Sequence, residues 1–164
     1  LTISGRATRR FAFEAFLPQE KKELRPVQEE LARETRTIIL YEAPHRLVKT
    51  PELLVETLGE DRSVTICKEL TKKHESFDKR TLGEWVSFYQ EEQNAPRGEY
   101  VLVIAGKSKE EVLAEKRAQW EDISVEDHIL QLMEQGLSKK EAVKQVAKDR
   151  GLNKRDVYNA SINL

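Results

Sequence analysis

Apolar residues recur with different rhythms along this chain. Between Phe11 and Leu17 they nearly alternate, with Phe11, Phe13 and then Phe16 and Leu17, and Pro18 stops the run. That period of two predicts a strand. Over residues 20–34, Leu24, Val27 and Leu31 share one helical face. Pro26 has no N–H to donate, so the helix is expected to start near it. Thr37 to Tyr41 is a β-branched apolar run, read as a buried strand that Pro44 ends. Leu47, Leu53, Leu54 and Leu58 predict a helix, with Pro51 near its start and Gly59 as its C-cap. Ser63 to Cys67 is the next strand, residues 75–81 a weaker edge strand, and Leu82 to Gln90 a helix. Glu99 to Ala105, bracketed by Gly98 and Gly106, is the strongest strand.

Strands separated by helices imply an α/β fold with a mixed sheet covered by helices over residues 1–106. Residues 107–123 are dense in charge and read as a solvated helix or linker. Residues 124–164 have a helical pattern. Ser124 caps a first helix, Ser138 and Glu141 have capping-box spacing for a second, and Asn153 caps a third. Three short helices with tight glycine turns resemble a helix-turn-helix bundle.

Composition narrows the partners. In 164 residues, 28 Lys+Arg oppose 29 Asp+Glu, so any nucleic-acid surface must be a local patch. One such patch runs from Gly136 to Asp156, where seven Lys/Arg meet three Asp/Glu. It includes Lys139, Lys140, Lys154 and Arg155; the competing account is a solvated helical surface. The single cysteine, Cys67, excludes an internal disulfide. The three histidines, His45, His74 and His128, lack metal-ligand spacing, so no metal site is expected. No apolar run approaches a bilayer span and no leader pattern opens the chain, so a soluble protein of the cytoplasm is expected. The chain begins at Leu1 and its only methionine is Met133, which reads as a piece of a longer protein.

Three polar clusters flank the predicted strands. Tyr41-Glu42-Ala43-Pro44-His45-Arg46 follows one strand, where open α/β sheets favour ligands. Lys68 to Glu75 follows another and mixes both signs of charge. Ala95-Pro96-Arg97-Gly98-Glu99 enters the strongest strand. Gly98 permits close backbone approach, and Arg97 suits a phosphate or carboxylate. Each has a plainer account as a capped or solvated turn.

Taken in order, four stretches resemble the 16S ribosomal RNA cytidine 2′-O-ribose methyltransferases of the tetrapyrrole methylase superfamily, the class III methyltransferases. They are Phe13 to Pro18, Leu40 to Arg46, Lys68 to Glu75 and Pro96 to Val103. The resemblance implies the C-terminal domain of the class III methyltransferase fold, one of two α/β domains with S-adenosyl-L-methionine between them. It implies a homodimer that acts on 16S rRNA of the small ribosomal subunit, and a fragment inactive without its missing N-terminal domain.

Methyl transfer to a ribose hydroxyl is an in-line displacement, and a weak nucleophile gains from a base or hydrogen-bond acceptor. On the resemblance, Glu42 is the expected base, with His45 orienting it or touching RNA. Tyr41, Ala43, Glu69 and Gly98 are expected at the cofactor. Arg46, Lys72, Lys73 and Arg97 suit phosphate oxygens, and the basic tail is an auxiliary RNA contact. Two other readings are a tetrapyrrole or small-molecule methyltransferase of the same fold, and a non-catalytic nucleic-acid-binding adaptor.

Overall fold

The computed structural model describes residues 1–91, 96–162 and 164. The chain divides into two compact units, Leu1–Lys107 and Ser108–Leu164.

Unit 1 runs β1 (Phe11–Ala15), α1 (Lys21–Leu31), β2 (Thr37–Glu42), α2 (Lys49–Leu58), β3 (Ser63–Lys68), β4 (Ser76–Thr81), α3 (Leu82–Gln90) and β5 (Tyr100–Ile104). The strands form one mixed sheet in the order β1-β2-β5-β3-β4. β1 lies parallel to β2; every other neighbouring pair is antiparallel. The fold is thus α/β with a mixed sheet.

Alternation along the strands separates two faces. Ile38, Leu40, Leu102 and Ile104 are almost fully buried and form one core with Leu47, Leu54, Leu82 and Trp85 of the helices and their connections. Each such side chain contributes about 1.5–3 kcal/mol. Phe13 and Tyr41 lie on the other face and stay exposed. The N-terminal segment covers part of that face. There the Arg6 guanidinium donates to the Ser63 hydroxyl, and the Thr37 hydroxyl donates to the Ala7 carbonyl at 2.9 Å.

Two elements depart from the sequence pattern. Helix α1 begins at Lys21, with Pro26 inside it. The Glu23 and Leu24 amides bond the Glu20 carbonyl at 3.0 and 2.9 Å, so the first turn is already made before the proline. Pro26 gives up only the bond to the Lys22 carbonyl, and both residues face water. Strand β1 stops at Ala15, short of Leu17. The register shifts between Phe13 and Ala15, and Ala15 adopts φ +50°. That bulge redirects the chain, so Leu17 enters the core while Phe16 stays exposed.

Unit 2 holds α4 (Lys109–Ala118), α5 (Val125–Glu134), α6 (Lys139–Arg150) and α7 (Lys154–Ala160). Ile129, Ala142, Val143, Val146 and Val157 make its core. Capping boxes open α4 (Ser108 with Glu111) and α6 (Ser138 with Glu141). The Trp120 ring stacks on His128 at 3.7 Å. Arg150 donates from Nε to His128 Nδ1 at 3.2 Å, and from Nη2 to the carbonyls of Ile123 and Ser124. Among the described residues no helix is long and apolar enough to cross a membrane.

Candidate functional site

Strand polarity brings the three polar clusters of unit 1 to one end of the sheet. Glu42 and Lys68 both pair with Tyr100, so β2 and β3 end where β5 begins. Ala15, at the end of β1, pairs with Leu40 on the same side, and Ser76 opens β4 beside Lys68. Among the described residues, the three non-glycine residues with positive φ, Ala15, Glu69 and Thr71, all lie at this end, as does Gly98 at φ +92°. Each such non-glycine conformation costs about 1–3 kcal/mol and tends to gather at functional sites.

The first cluster is built around Glu42. Its side chain is 1% exposed. Oε1 accepts from the Ala43 amide at 2.9 Å and pairs with Arg46 Nε at 3.3 Å. Oε2 accepts from the Thr50 hydroxyl at 2.6 Å. Both oxygens of Glu42, the expected base, are thus engaged within the protein. Arg46 is held a second time, donating from Nη2 to the Leu17 carbonyl at 3.0 Å. His45 and Lys49 stay exposed beside it. Tyr41 is exposed on the opposite sheet face, edge-to-face with Phe13 and Phe16 at 5.1 and 5.8 Å.

The second and third clusters form a single network. The Glu69 amide donates to the Glu99 carbonyl at 2.9 Å, and Glu69 Oε1 accepts from the Glu99 amide at 2.8 Å. Lys72 bridges the two acids, 3.3 Å from Glu69 and 2.8 Å from Glu99. The backbone bond from Glu99, then Lys72, holds the Glu69 carboxyl below its usual range, and the bond to Glu99 raises Lys72. A side chain at Gly98 would have its Cβ 2.5 Å from Glu69 Oε1, so the Glu69 carboxylate would have to shift from its bonds, and φ +92° favours glycine in its own right. The Tyr100 hydroxyl accepts from the Arg97 amide at 3.1 Å, and burial pushes its proton affinity up.

Lys73 and Arg97 are exposed at this same end of the sheet. Ala43 is half-buried, and Ala95 lies outside the described residues. Lys139 and Lys140 open α6 and Lys154 and Arg155 open α7, all in unit 2. Sequence reasoning missed Thr50 and the Leu17 carbonyl as the partners that complete the Glu42–Arg46 pair. Thr50 stands eight residues beyond Glu42, and no short motif links the two.

A cleft of about 430 Å³ opens beside the first cluster, lined by Leu17, Pro18, His45, Arg46, Lys49 and Thr50 among others. Comparison with known proteins adds a lineage. Over all 164 residues the chain is 41% identical to ribosomal RNA small subunit methyltransferase I of Synechocystis sp., of which it covers 56%. The protein of the same name from Bacillus subtilis is 41% identical over 98% of this chain and 53% of its own length. That from Escherichia coli O157:H7 is 32% identical over 99% and 54%. In sequence, this chain is similar to the ribosomal RNA small subunit methyltransferase I proteins. It spans about half the length of the curated relatives it matches. No family model matches it. Among solved structures, a uroporphyrin III C-methyltransferase from Thermus thermophilus aligns with 60% of this chain and 40% of its own, at 16% identity and TM-score 0.42. A cobalt precorrin-4 methyltransferase aligns with 58% and 40%, at 16% and 0.43.

Proposed function

We propose that this chain is the part of a small-subunit ribosomal RNA methyltransferase that forms one wall of the catalytic cleft, acting on a cytidine 2′-hydroxyl of 16S rRNA. The observation that carries the proposal is the convergence of three polar clusters and four positive-φ positions on one end of the sheet. The relatives' name supports RNA over a tetrapyrrole as substrate. A non-catalytic adaptor gives no reason for strained backbone at the strand ends. A cytoplasmic location and a homodimer go with this reading.

S-adenosyl-L-methionine would supply a methyl group on a positively charged sulfur. The residues present fit such a group. Glu99, with its side chain 79% exposed, and Glu69 offer carboxylates suited to hydroxyl, ammonium or sulfonium groups. Tyr41 and Ala43 offer an apolar wall, and Gly98 lets the backbone pass close to the Glu69 carboxylate. Glu42 acts here as a positioning residue: it fixes Arg46 and ties the His45 turn to α2 through Thr50. His45, exposed on that turn, is then the group able to accept the ribose hydroxyl proton. Lys72, Lys73 and Arg97 at the sheet end, and Lys139, Lys140, Lys154 and Arg155 on unit 2, suit RNA phosphates.

Isothermal titration of S-adenosyl-L-methionine into this chain and into the full-length protein tests the proposal. Binding by the full-length protein alone is expected, because one wall makes half a site. Absence of binding by both would overturn the methyltransferase reading.

A further inference from the structure

The 430 Å³ cleft between the β1–α1 connection and the start of α2 has a charge pattern that the cofactor reading does not use. None of its lining residues is acidic, while His45, Arg46 and Lys49 all line it. The Glu42 carboxylate is buried behind Arg46 and already bonded to it and to Thr50. Lys49 is exposed and makes no ion pair among the described residues, and neither does His45. Arg46 is fixed at two points, by Glu42 and by the Leu17 carbonyl. A guanidinium already held in place loses little rotamer freedom when it takes an anion, and its planar fork matches phosphate oxygens.

The concavity also continues. A second, wider groove shares Leu24 and Leu53 with the first; Lys21, Lys22 and Arg25 of α1 line it, against two acidic lining residues, Glu29 and Glu56. Arg25 there pairs with Glu29, whereas Lys21 and Lys22 have no acidic partner among the described residues. Unpaired cations spaced along a groove suit a chain of phosphates better than one small anion.

We infer that this cleft is a phosphodiester subsite. Arg46 and Lys49 take one backbone phosphate of a single-stranded RNA, and Lys21 and Lys22 continue the track. A phosphate held there sets the adjoining ribose beside His45. The inference rests on the RNA reading above and adds the subsite that positions the nucleotide.

The test uses this chain, a fluorescein-labelled single-stranded oligonucleotide of 16S rRNA sequence, and anisotropy titrations over a range of salt. Lys49→Ala is the probing variant. Arg10→Ala, an exposed cation just before β1 and so at the opposite end of the sheet, is the matched control. Loss of one phosphate contact is expected to weaken binding about three- to ten-fold and to flatten the log–log salt slope by about 0.7. The control should retain the parent behaviour. If the parent chain binds RNA but Lys49→Ala matches Arg10→Ala, the subsite is wrong and the RNA reading stands. If the parent chain binds no RNA even at low salt, the RNA contact itself fails and takes the subsite with it. Inorganic phosphate as competitor separates the two sources of anion. Displacement needing far more phosphate than oligonucleotide supports a backbone track; equal potency would make this a small-phosphate site and overturn it.

Discussion

The substitution Thr50→Val isolates the bond that closes the Glu42 network. Valine matches threonine in shape, so the packing of α2 is kept and one hydroxyl is lost. That hydroxyl is 2.6 Å from Glu42 Oε2, on a side chain only 1% exposed. Water cannot readily replace it. A hydrogen bond to a charged group contributes about 1.5–3 kcal/mol, and leaving a buried acceptor without a partner costs an amount in the same range. We therefore expect unit 1 to lose about 2 kcal/mol, which in a domain of this size lowers Tm by roughly 10 °C. Urea unfolding followed by Trp85 fluorescence in a Trp120→Phe background reads unit 1 alone. Repeating the change in a Glu42→Leu background completes a double-mutant cycle. With the carboxylate gone, Thr50→Val should cost almost nothing. A loss below about 0.5 kcal/mol in the parent, the level of an ordinary surface change, or an equal loss in both backgrounds, would refute the reasoning.

Four further outcomes follow from the structure. Gly98→Ala should destabilise unit 1 by about 1–3 kcal/mol, because it meets both a positive φ and the Glu69 carboxylate; thermal unfolding measures this, and removing Glu69 as well should relieve only the contact. Burial, with Arg150 adding to it, lowers the His128 proton affinity below its unfolded value, so unit 2 should be fully stable above about pH 6.5 and lose stability as pH falls below that; melting of the parent against His128→Phe between pH 7.5 and 5 checks it, the variant being flatter. Ser138→Ala removes the acceptor for the Glu141 amide at the start of α6 and should cost about 1 kcal/mol, seen as faster amide exchange in α6. His45→Ala in the full-length enzyme should cut the methylation rate about a hundred-fold or more while leaving S-adenosyl-L-methionine affinity unchanged; an unaltered rate removes His45 as the proton acceptor.

Much of the fold could be read from local signals, because those signals are local in cause. Proline and glycine punctuation, β-branched runs and serine caps act within a few residues of where they stand. Ser138 with Glu141 and Ser124 before Val125 are bounded as their spacing implies. Pro26 misled because a helix tolerates a missing donor when its first turn is already bonded and the freed carbonyl faces water. The candidate site was half legible. The three clusters stand out in sequence as polar stretches beside strands. Their convergence depends on β5 running antiparallel between β2 and β3, which no local pattern encodes. The closure of Glu42 was hidden for the same reason: its partners include a helix residue eight positions on and, through Arg46, a carbonyl from the β1–α1 connection.

The central place of β5 bears on the order in which unit 1 can assemble. β1 and β2 can pair as soon as α1 is made, and β3 and β4 form a neighbouring hairpin. Each pair leaves an inner edge with unmatched amides until the last strand of the unit arrives to join them. A chain emerging from the ribosome therefore carries two half-sheets through most of the synthesis of this unit. Contacts between β2 and β5 span about sixty residues, and such distant pairings form slowly. Until Tyr100–Ile104 inserts, the edges of β2 and β3 can pair with other chains. Truncations ending before residue 100 should consequently aggregate, while those ending just after Lys107 should be the shortest to yield a soluble first unit.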